Sequence, residues 1–294
     1  MSIEKITTAV ARMKPNVARV LALWLDRVTD GDVFAMAETH LSTAHVADAL
    51  GVIERYLPGY LTPEKKILEV GSGFGAFAVM GSALHGLDIT GTEPDPVVRE
   101  YAREFAKHAG VACSFADCAG ENLAAFSDNS FDFIFSSNVL EHVQDPAKVL
   151  AESIRVLKPG GYLFFTYPNY CSFWEGHYGM FWIPCMPKPL AKLYVSLFGR
   201  NTKYIDGLQF MNPHFTRRII RSLLGQATLV GLGADLWQER MRTLAFGAWG
   251  QTSKLKRALM VLRRVPLMIP TAIFFGKLMG WYYPIILIMQ KKAP

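Results

Sequence analysis

The sequence predicts an α/β protein, a mostly parallel sheet covered by helices on both faces. Three observations carry that expectation. Strand-like runs at Lys66–Val70, Leu87–Thr92, Ala112–Ala116, Phe131–Ser136 and Tyr162–Tyr167 alternate with helix-like segments at Gly75–Leu84, Pro96–Ala109 and Pro146–Leu157. The first strand runs through a glycine loop straight into a helix, in the stretch LEVGSGFGAF from Leu68 to Phe77. The last helix is sharply punctuated: Asp145 can cap it, Pro146 suits its first turn, and Lys158-Pro159-Gly160-Gly161 ends it.

Residues 1–60 precede this core as an N-terminal helical segment, a possible lid. Val17, Val20, Leu21, Trp24 and Val28 share one helical face, and Val46, Leu50, Ile53 and Leu57 repeat the spacing. Pro58-Gly59 and Pro63 close the segment. Residues 61–169 hold the alternating core. Residues 170–294 form a third region, where the regularity breaks. Its stretch CSFWEGHYGMFWIP is a poor helix or strand and too apolar for an idle loop. Asn212-Pro213 then starts a helix expected to run through Leu224.

The span from Val265 to Gln290 carries a single charge, Lys277. About 20 apolar residues suffice to cross a bilayer. Pro266, Pro270, Gly276, Gly280 and Pro284 interrupt this stretch, however, and Ile285–Met289 reads as a strand. A buried helix followed by an edge or inner strand is the expectation, ahead of a membrane span. A surface-lying helix is intermediate, and Arg257, Arg263 and Arg264 just before it would suit acidic headgroups.

Half of the 294 residues are hydrophobic and 19% are charged, which permits a sizeable core and excludes wholesale disorder. The net charge of +6 hides an asymmetry. Residues 1–169 carry 14 Lys/Arg against 21 Asp/Glu, whereas residues 170–294 carry 17 against 4. The basic, apolar C-terminal part suggests an anionic partner: membrane surface, phosphorylated substrate or nucleic acid. Cys113, Cys118, Cys171 and Cys185 show no paired spacing and read as reduced thiols of a cytoplasmic protein. No metal site is expected, since Cys171, His177 and Cys185 lack the tight ligand pair of a zinc site. Met1 to Thr8, with Glu4 and Lys5, does not resemble a secretory leader.

The glycine loop has the form Glu69-x-Gly71-x-Gly73-x-Gly75. Its glycines let the backbone press on a ligand, and the helix that follows turns unpaired N–H groups toward a negative group. Glu93 ends the second strand, 24 residues after Glu69, placed to accept both hydroxyls of a ribose. Its plainer reading is a turn with Pro94. Asp117, ending the third strand, is placed to accept an adenine amino group. NAD and S-adenosylmethionine both carry that ribose. A dinucleotide fingerprint places its third glycine at position 76, where this chain has the tolerated Ala76. The extra Gly75 and Glu69 fit a small ligand bearing an amino acid better.

Four blocks in order, LEVGSGFGAF, GTEPDP, DNSFDFIFSSNVLEHVQDP and VLKPGGYLFFTYPN, resemble class I S-adenosylmethionine-dependent methyltransferases of the ubiquinone/menaquinone-type group over roughly residues 60–169. The resemblance implies a Rossmann-like, doubly wound, seven-stranded sheet. It also implies Glu69, Gly71, Ser72, Gly73 and Gly75 at the methionine end, Glu93 on the ribose, and Asp117 with Cys118 near adenine. Ser137 and Asn138 would line the site near the reacting methyl. Gly120 departs from the group's pattern, so Asp117 and Glu121 both remain candidates for adenine. The C-terminal 125 residues lie outside the pattern, apart from a closing strand such as IILIMQKK.

Methyl transfer from a sulfonium is an in-line displacement in which positioning matters most, and an oxygen nucleophile also gains from a general base. His142 and His177 are the catalytic candidates, with His214 behind them. His177 is preferred because it lies in the insertion expected to cover the site. The Asn/Asp-Pro-Pro-Tyr/Phe turn of base-amino methyltransferases is replaced by Ser136-Ser137-Asn138-Val139. The expected acceptor is therefore a small-molecule, glycan or lipid-linked anion methylated on oxygen, with Arg217, Arg218 and Arg221 as a cationic helix face. Nucleic acid is disfavoured as a partner, and the expected location is the cytoplasm, with the inner membrane face as a possible attachment. Alternatives are an RNA methyltransferase using the basic half, an NAD-dependent oxidoreductase, or a silent cofactor-binding protein.

Overall fold

A computed structural model describes residues 3–29, 31–245 and 267–293. Three helices open the chain: α1 (Ile3–Trp24), α2 (Val33–His40) and α3 (Thr43–Tyr56). The core then alternates as expected through β1 (Lys66–Val70), α4 (Ala76–His85), β2 (Asp88–Thr92), α5 (Pro96–Ala109), β3 (Ser114–Ala116), β4 (Phe131–Ser137), α6 (Pro146–Val156) and β5 (Leu157–Tyr167). Asp95 caps α5 through Val97 N–H and Val98 N–H, and Asp145 caps α6 through Ala147 N–H and Lys148 N–H. Helix α6 ends at Val156. Lys158–Gly161 sits inside β5 as the irregularity between its pairings Phe131 with Leu157 and Phe133 with Tyr162.

A short hairpin, β6 (Trp174–Glu175) and β7 (Met180–Phe181), follows with α7 (Lys188–Leu197) and α8 (Lys203–Asp206). Then come α9 (Pro213–Ile219), running into a 3-10 turn to Leu223, β8 (Ala227–Gly231), α10 (Ala234–Thr243), α11 (Met268–Met279) and β9 (Ile285–Lys291). Seven strands form one sheet in the order β3-β2-β1-β4-β5-β9-β8. β9 is antiparallel to both neighbours, whereas β1, β2, β3, β4 and β5 pair in parallel. The sheet does not end with residue 169: β8 and β9, from the third region, complete it.

One apolar cluster, with Ile67, Phe77, Phe105, Phe133 and Phe164, lies under α1 to α5. A second, with Leu68, Ile134, Leu150, Leu163 and Leu287, covers the other face. β1 contributes Ile67 to the first and Leu68 to the second, the alternation a two-faced strand requires. A third cluster joins Val28 to Tyr170, Tyr178, Trp182, Val195 and Ile205, so the insertion docks on the end of the N-terminal segment. Asn201 N–H donates to Arg27 O at 2.7 Å across that junction.

Two expectations are corrected. Cys171 and Cys185 are not free thiols; they form a disulfide, with Cα atoms 4.2 Å apart. The pairing comes from tertiary folding, because Cys185 N–H donates to Tyr170 O at 2.9 Å and brings the ends of the hairpin segment together. Cys113 and Cys118 are the free cysteines. The C-terminal helix is not buried either. Only Ile273 and Gly276 of α11 are buried, whereas Phe274, Phe275, Leu278 and Met279 face outward. Gly276 meets the Trp237 ring of α10, and Ile273 packs with Met241 and Leu244, so α11 docks on one narrow side. The strand half of that expectation is right, since β9 is an inner strand. Val265 and Pro266, and the basic Arg257, Arg263 and Arg264, lie outside the described residues. No helix among the described residues is long and apolar enough to cross a membrane.

In denaturant without reductant, a thiol titration should find two reactive groups, Cys113 and Cys118, and four after reduction. Four groups before reduction would remove the disulfide.

Candidate active site

In an open α/β sheet, a ligand crevice lies beyond the strand carboxyl ends where the order reverses. Here that reversal falls between β1 and β4, which pair through Ile67–Phe133, Leu68–Ile134 and Glu69–Phe135. The loop after β1 is the glycine loop, and the loop after β4 carries Ser137, Asn138, Glu141 and His142.

The glycine loop is held against the end of β2. Ser72 N–H donates to Thr92 O at 2.7 Å, and the buried Ser72 hydroxyl donates to the same oxygen at 3.2 Å. Ser72 therefore braces the loop. Gly71 adopts φ +70°, and a Cβ there would meet the Val139 side chain at 2.5 Å. That close approach and the positive φ both require glycine. Gly73, at φ +52°, faces open space, whereas Gly75 caps α4 in the left-handed region. Above the loop, Phe74 stacks on Trp24 with centroids 5.9 Å apart, so the N-terminal segment covers the cradle.

Glu93 links the two cofactor motifs. Its Oε2 accepts from Gly73 N–H at 3.0 Å and its Oε1 from Asp95 N–H at 2.9 Å. It thus makes the turn expected of the plainer reading, and each oxygen keeps capacity for a ribose hydroxyl. Glu69 is buried and accepts from Ala78 N–H at 3.1 Å, near the start of α4. Burial pushes its carboxyl up to about 8, against the pull of that N–H and with the charge of Glu93 adding to the rise. Asp117 is exposed and pairs with Arg99 at 2.9 Å, and Glu121 accepts from Gln144 N–H at 2.9 Å. Cys118 is half-buried beside Asp117, and burial raises its thiol pKa.

On the acceptor side, Asn138 takes φ +56° and its N–H donates to Thr166 O at 2.8 Å. The Ser137 hydroxyl accepts from Thr166 Oγ1 at 3.0 Å. Both side chains are exposed at the end of β4. His142 and His177, 35 positions apart, come together with their Nε2 atoms 3.2 Å from each other. Behind them, His177 Nδ1 meets Glu175 Oε1 at 2.7 Å, and Glu175 also accepts from Tyr178 N–H at 2.6 Å and Tyr170 OH at 3.2 Å. Burial opposes charge on both members of the His177–Glu175 pair. Their mutual attraction outweighs it, holding Glu175 below and His177 above its ordinary value. Burial and the neighbouring His177 hold His142 below its ordinary value.

Glu141 and Glu175 are the residues that sequence reasoning missed. Glu141 is fully buried, and burial raises its carboxyl to about 7 despite the charge of His177. The Glu141-His142 pair was visible in LEHV, but the partner Glu175 follows from a fold of the insertion that no local spacing encodes. Arg217, Arg218 and Arg221 do gather with Asn212, His214 and Phe215 around an open depression of about 470 Å³. His214 stands there, away from the histidine pair.

Residues 68–165 match a family profile described as a methyltransferase domain. An uncharacterized methyltransferase of Mycobacterium sp. (strain JLS) is 37% identical over 140 residues, 46% of this chain and 50% of that protein. A ubiquinone biosynthesis O-methyltransferase of Saccharophagus degradans is 34% identical over 106 residues, 36% of this chain and 44% of that protein. The chain thus spans about half the length of the curated relatives it matches. The phosphoethanolamine N-methyltransferase 2 of Haemonchus contortus, solved with S-adenosyl-L-methionine, shares the fold at TM-score 0.52 and 17% identity, over 87% of this chain and 56% of that one. The core is a class I S-adenosylmethionine-dependent methyltransferase domain, and its cofactor is S-adenosylmethionine. The residues present fit that cofactor: Gly73 borders open space, and the Glu93 oxygens beside it keep capacity to accept from hydroxyls.

Glu69 has a measurable consequence. Burial raises its pKa from the ordinary 4.5 to about 8, so protonation stabilises the ligand-free fold. This contribution is full below about pH 4.5 and is lost as pH rises through about 8. Glu69→Gln keeps the acceptor for Ala78 N–H and should flatten the fall in Tm across that window. A variant with the wild-type pH profile would contradict the assignment.

Proposed function

We propose that the chain transfers a methyl group from S-adenosylmethionine to an oxygen of a small, anionic acceptor of the glycan or lipid-linked kind. The observation that carries this reading is an open glycine loop after β1 together with the His142–His177–Glu175 chain, which joins the loop after β4 to the β6–β7 hairpin, since the sheet order reverses between β1 and β4. The cradle positions the sulfonium. In this reading the histidines serve the acceptor, which approaches in line with the methyl group and the sulfur.

The donor end follows from the loop. Gly71 to Gly75 would hold the amino-acid part of the cofactor, Glu93 the ribose hydroxyls, and Asp117 with Cys118 the adenine. Its ammonium beside Glu69 would favour the ionised carboxylate, so binding near neutral pH releases a proton from that buried group. On the acceptor side, His142 is the more accessible ring, with its side chain 40% exposed against 16% for His177. That supports His142 as the group meeting the acceptor hydroxyl and His177 as the ring oriented behind it by Glu175, the reverse of the preference drawn from sequence. As the O–CH₃ bond forms and the S–CH₃ bond breaks, the hydroxyl proton passes to His142, and neutral S-adenosylhomocysteine leaves.

A lipid-linked acceptor is supported by the surface around the insertion. Phe173, Phe181, Leu193 and Leu197 are exposed, and Phe173 packs on Trp281 with centroids 4.9 Å apart, next to the exposed face of α11. Monomeric proteins rarely leave so many large apolar groups open without a use. The Arg217–Arg218–Arg221 depression supplies positive charge for an anionic group of the acceptor or for acidic headgroups. Such a protein lies on a membrane surface rather than across it. The name of the Saccharophagus relative, an O-methyltransferase, agrees with transfer to oxygen.

Calorimetry should show binding of S-adenosylhomocysteine and none of NAD, with Glu93→Ala weakening the former roughly 10- to 100-fold, the range for hydrogen bonds to a charged group. Unchanged affinity would remove Glu93 from the ribose. Methyl groups from labelled donor should enter the lipid or glycan pool of a fractionated extract, and His142→Ala should slow that transfer by about 10²–10⁴-fold. Incorporation into RNA alone would overturn the acceptor class. The protein should float with anionic vesicles, and Phe274→Asp with Leu278→Asp should reduce flotation. Equal flotation of the double variant would separate α11 from the membrane.

A further inference from the structure

Glu141 poses a problem that methyl transfer alone does not answer. It is fully buried, and among the described residues neither carboxylate oxygen has a hydrogen-bond partner. Burying such a group without a partner is costly, and native structures rarely tolerate it. The group nearest in kind is a histidine nitrogen: His142 Nε2 lies 3.8 Å from Glu141 Oε1, beyond hydrogen-bond reach. His177 Nε2 stands 3.2 Å from that same nitrogen. One ligand atom from each of Glu141, His142 and His177 lies within 4.8 Å of the others.

We propose that Glu141, His142 and His177 bind a divalent transition-metal ion of the zinc type, on the acceptor side of the crevice. The spacing fits. Ligands about 2.1 Å from a tetrahedral ion are roughly 3.4 Å apart; two of the three separations here, 3.2 and 3.8 Å, fall on either side of that value, and the third lies within 4.8 Å. The ligand chemistry fits as well, because two imidazoles and a carboxylate suit zinc and its first-row neighbours better than magnesium or calcium. The surroundings supply the outer support that metal-bound histidines need. Glu175 Oε1 holds His177 Nδ1 at 2.7 Å, which fixes the ring and leaves its Nε2 lone pair directed at His142. Glu175 is itself held by Tyr178 N–H and Tyr170 OH.

Three protein ligands leave coordination positions open, as in catalytic rather than structural zinc sites. An acceptor hydroxyl bound there would be acidified by the ion and would release its proton to solvent water, so that His142, as a ligand, would no longer serve as the base. Metal binding stands apart from the methyl-transfer reading; only this role rests on it. The ligands come from the loop after β4 and from the hairpin of the insertion. The ion would therefore join the core to its cover beside Ser137 and Asn138.

Tag-free, full-length protein, stripped with chelator and dialysed, is titrated with Zn²⁺ by calorimetry and with Co²⁺ by visible absorption. One equivalent of zinc should bind at micromolar affinity or tighter, and cobalt should give the d–d bands of a low-coordinate nitrogen and oxygen site. His142→Ala and Glu141→Gln should each weaken zinc binding roughly tenfold or more. Binding of S-adenosylhomocysteine, measured on the same samples, shows that a variant has kept its fold. If Glu141→Gln fails that control, His142→Ala at the exposed ring carries the test. No binding to the stripped protein overturns the proposal, as does wild-type affinity in a folded variant. A cobalt–thiolate charge-transfer band, which would put the ion on Cys113 or Cys118, overturns it too. Donor binding without zinc binding would sink the metal site and leave the methyltransferase reading intact. Zinc binding without donor binding would do the opposite.

Discussion

The parallel pairing of β1 with β4 is the constraint on which the rest of this structure depends. From β1 the chain winds outward through β2 to β3, then returns across the sheet to β4 and winds the other way. The loops leaving the carboxyl ends of β1 and β4 must therefore part, and the gap between them cannot be closed by either. Every group assigned to the donor stands on one side of that gap, in the glycine loop or at the ends of β2 and β3. Every group assigned to the acceptor stands on the other. The register Glu69 with Phe135 sets how far apart the two sides begin.

The buried carboxylates on the donor side are met mainly by backbone N–H groups, with Arg99 also favouring the charge of Glu93. Glu93 is satisfied by Gly73 N–H and Asp95 N–H, and Glu69 by Ala78 N–H. Both carboxyls are nonetheless raised by burial. A cationic sulfonium amino acid suits such a site, because it supplies the positive charge that these groups lack. The acceptor side follows a different rule. Glu175 has its full set of donors and orders His177, whereas Glu141, buried among the same elements, has none among the described residues.

The third region does two jobs with unlike chemistry. Its ends, β8 and β9, are structural: Asn169 donates to Gly280 O and Tyr282 O, tying the start of the insertion to the strand that closes the sheet. Its middle builds the cover, a cluster around Tyr178 and Trp182 locked by the Cys171–Cys185 disulfide. Outward, the same cover and α11 present aromatic and leucine side chains to solvent. A face of this kind is stable only if something apolar meets it or if the inner contacts are strong enough to bear its exposure.

Local patterns determined much of this protein. Strand and helix alternation, the capping of α6 by Asp145, and the glycine loop with Glu93 were all legible, because each depends on neighbours a few residues away. The inner placement of β9 could be anticipated from its apolar run. Tertiary structure alone decided the rest. Cys171 and Cys185 gave no pairing signal, since their approach depends on a backbone contact between Tyr170 and Cys185 made only in the folded insertion. The outward face of α11 was misjudged because an apolar helix has the same composition whether neighbours cover it or not. His142 was visible beside Glu141, and His177 within an aromatic run. That they meet nitrogen to nitrogen, with Glu175 behind one and Glu141 beside the other, is a contact across 35 positions that no periodicity encodes.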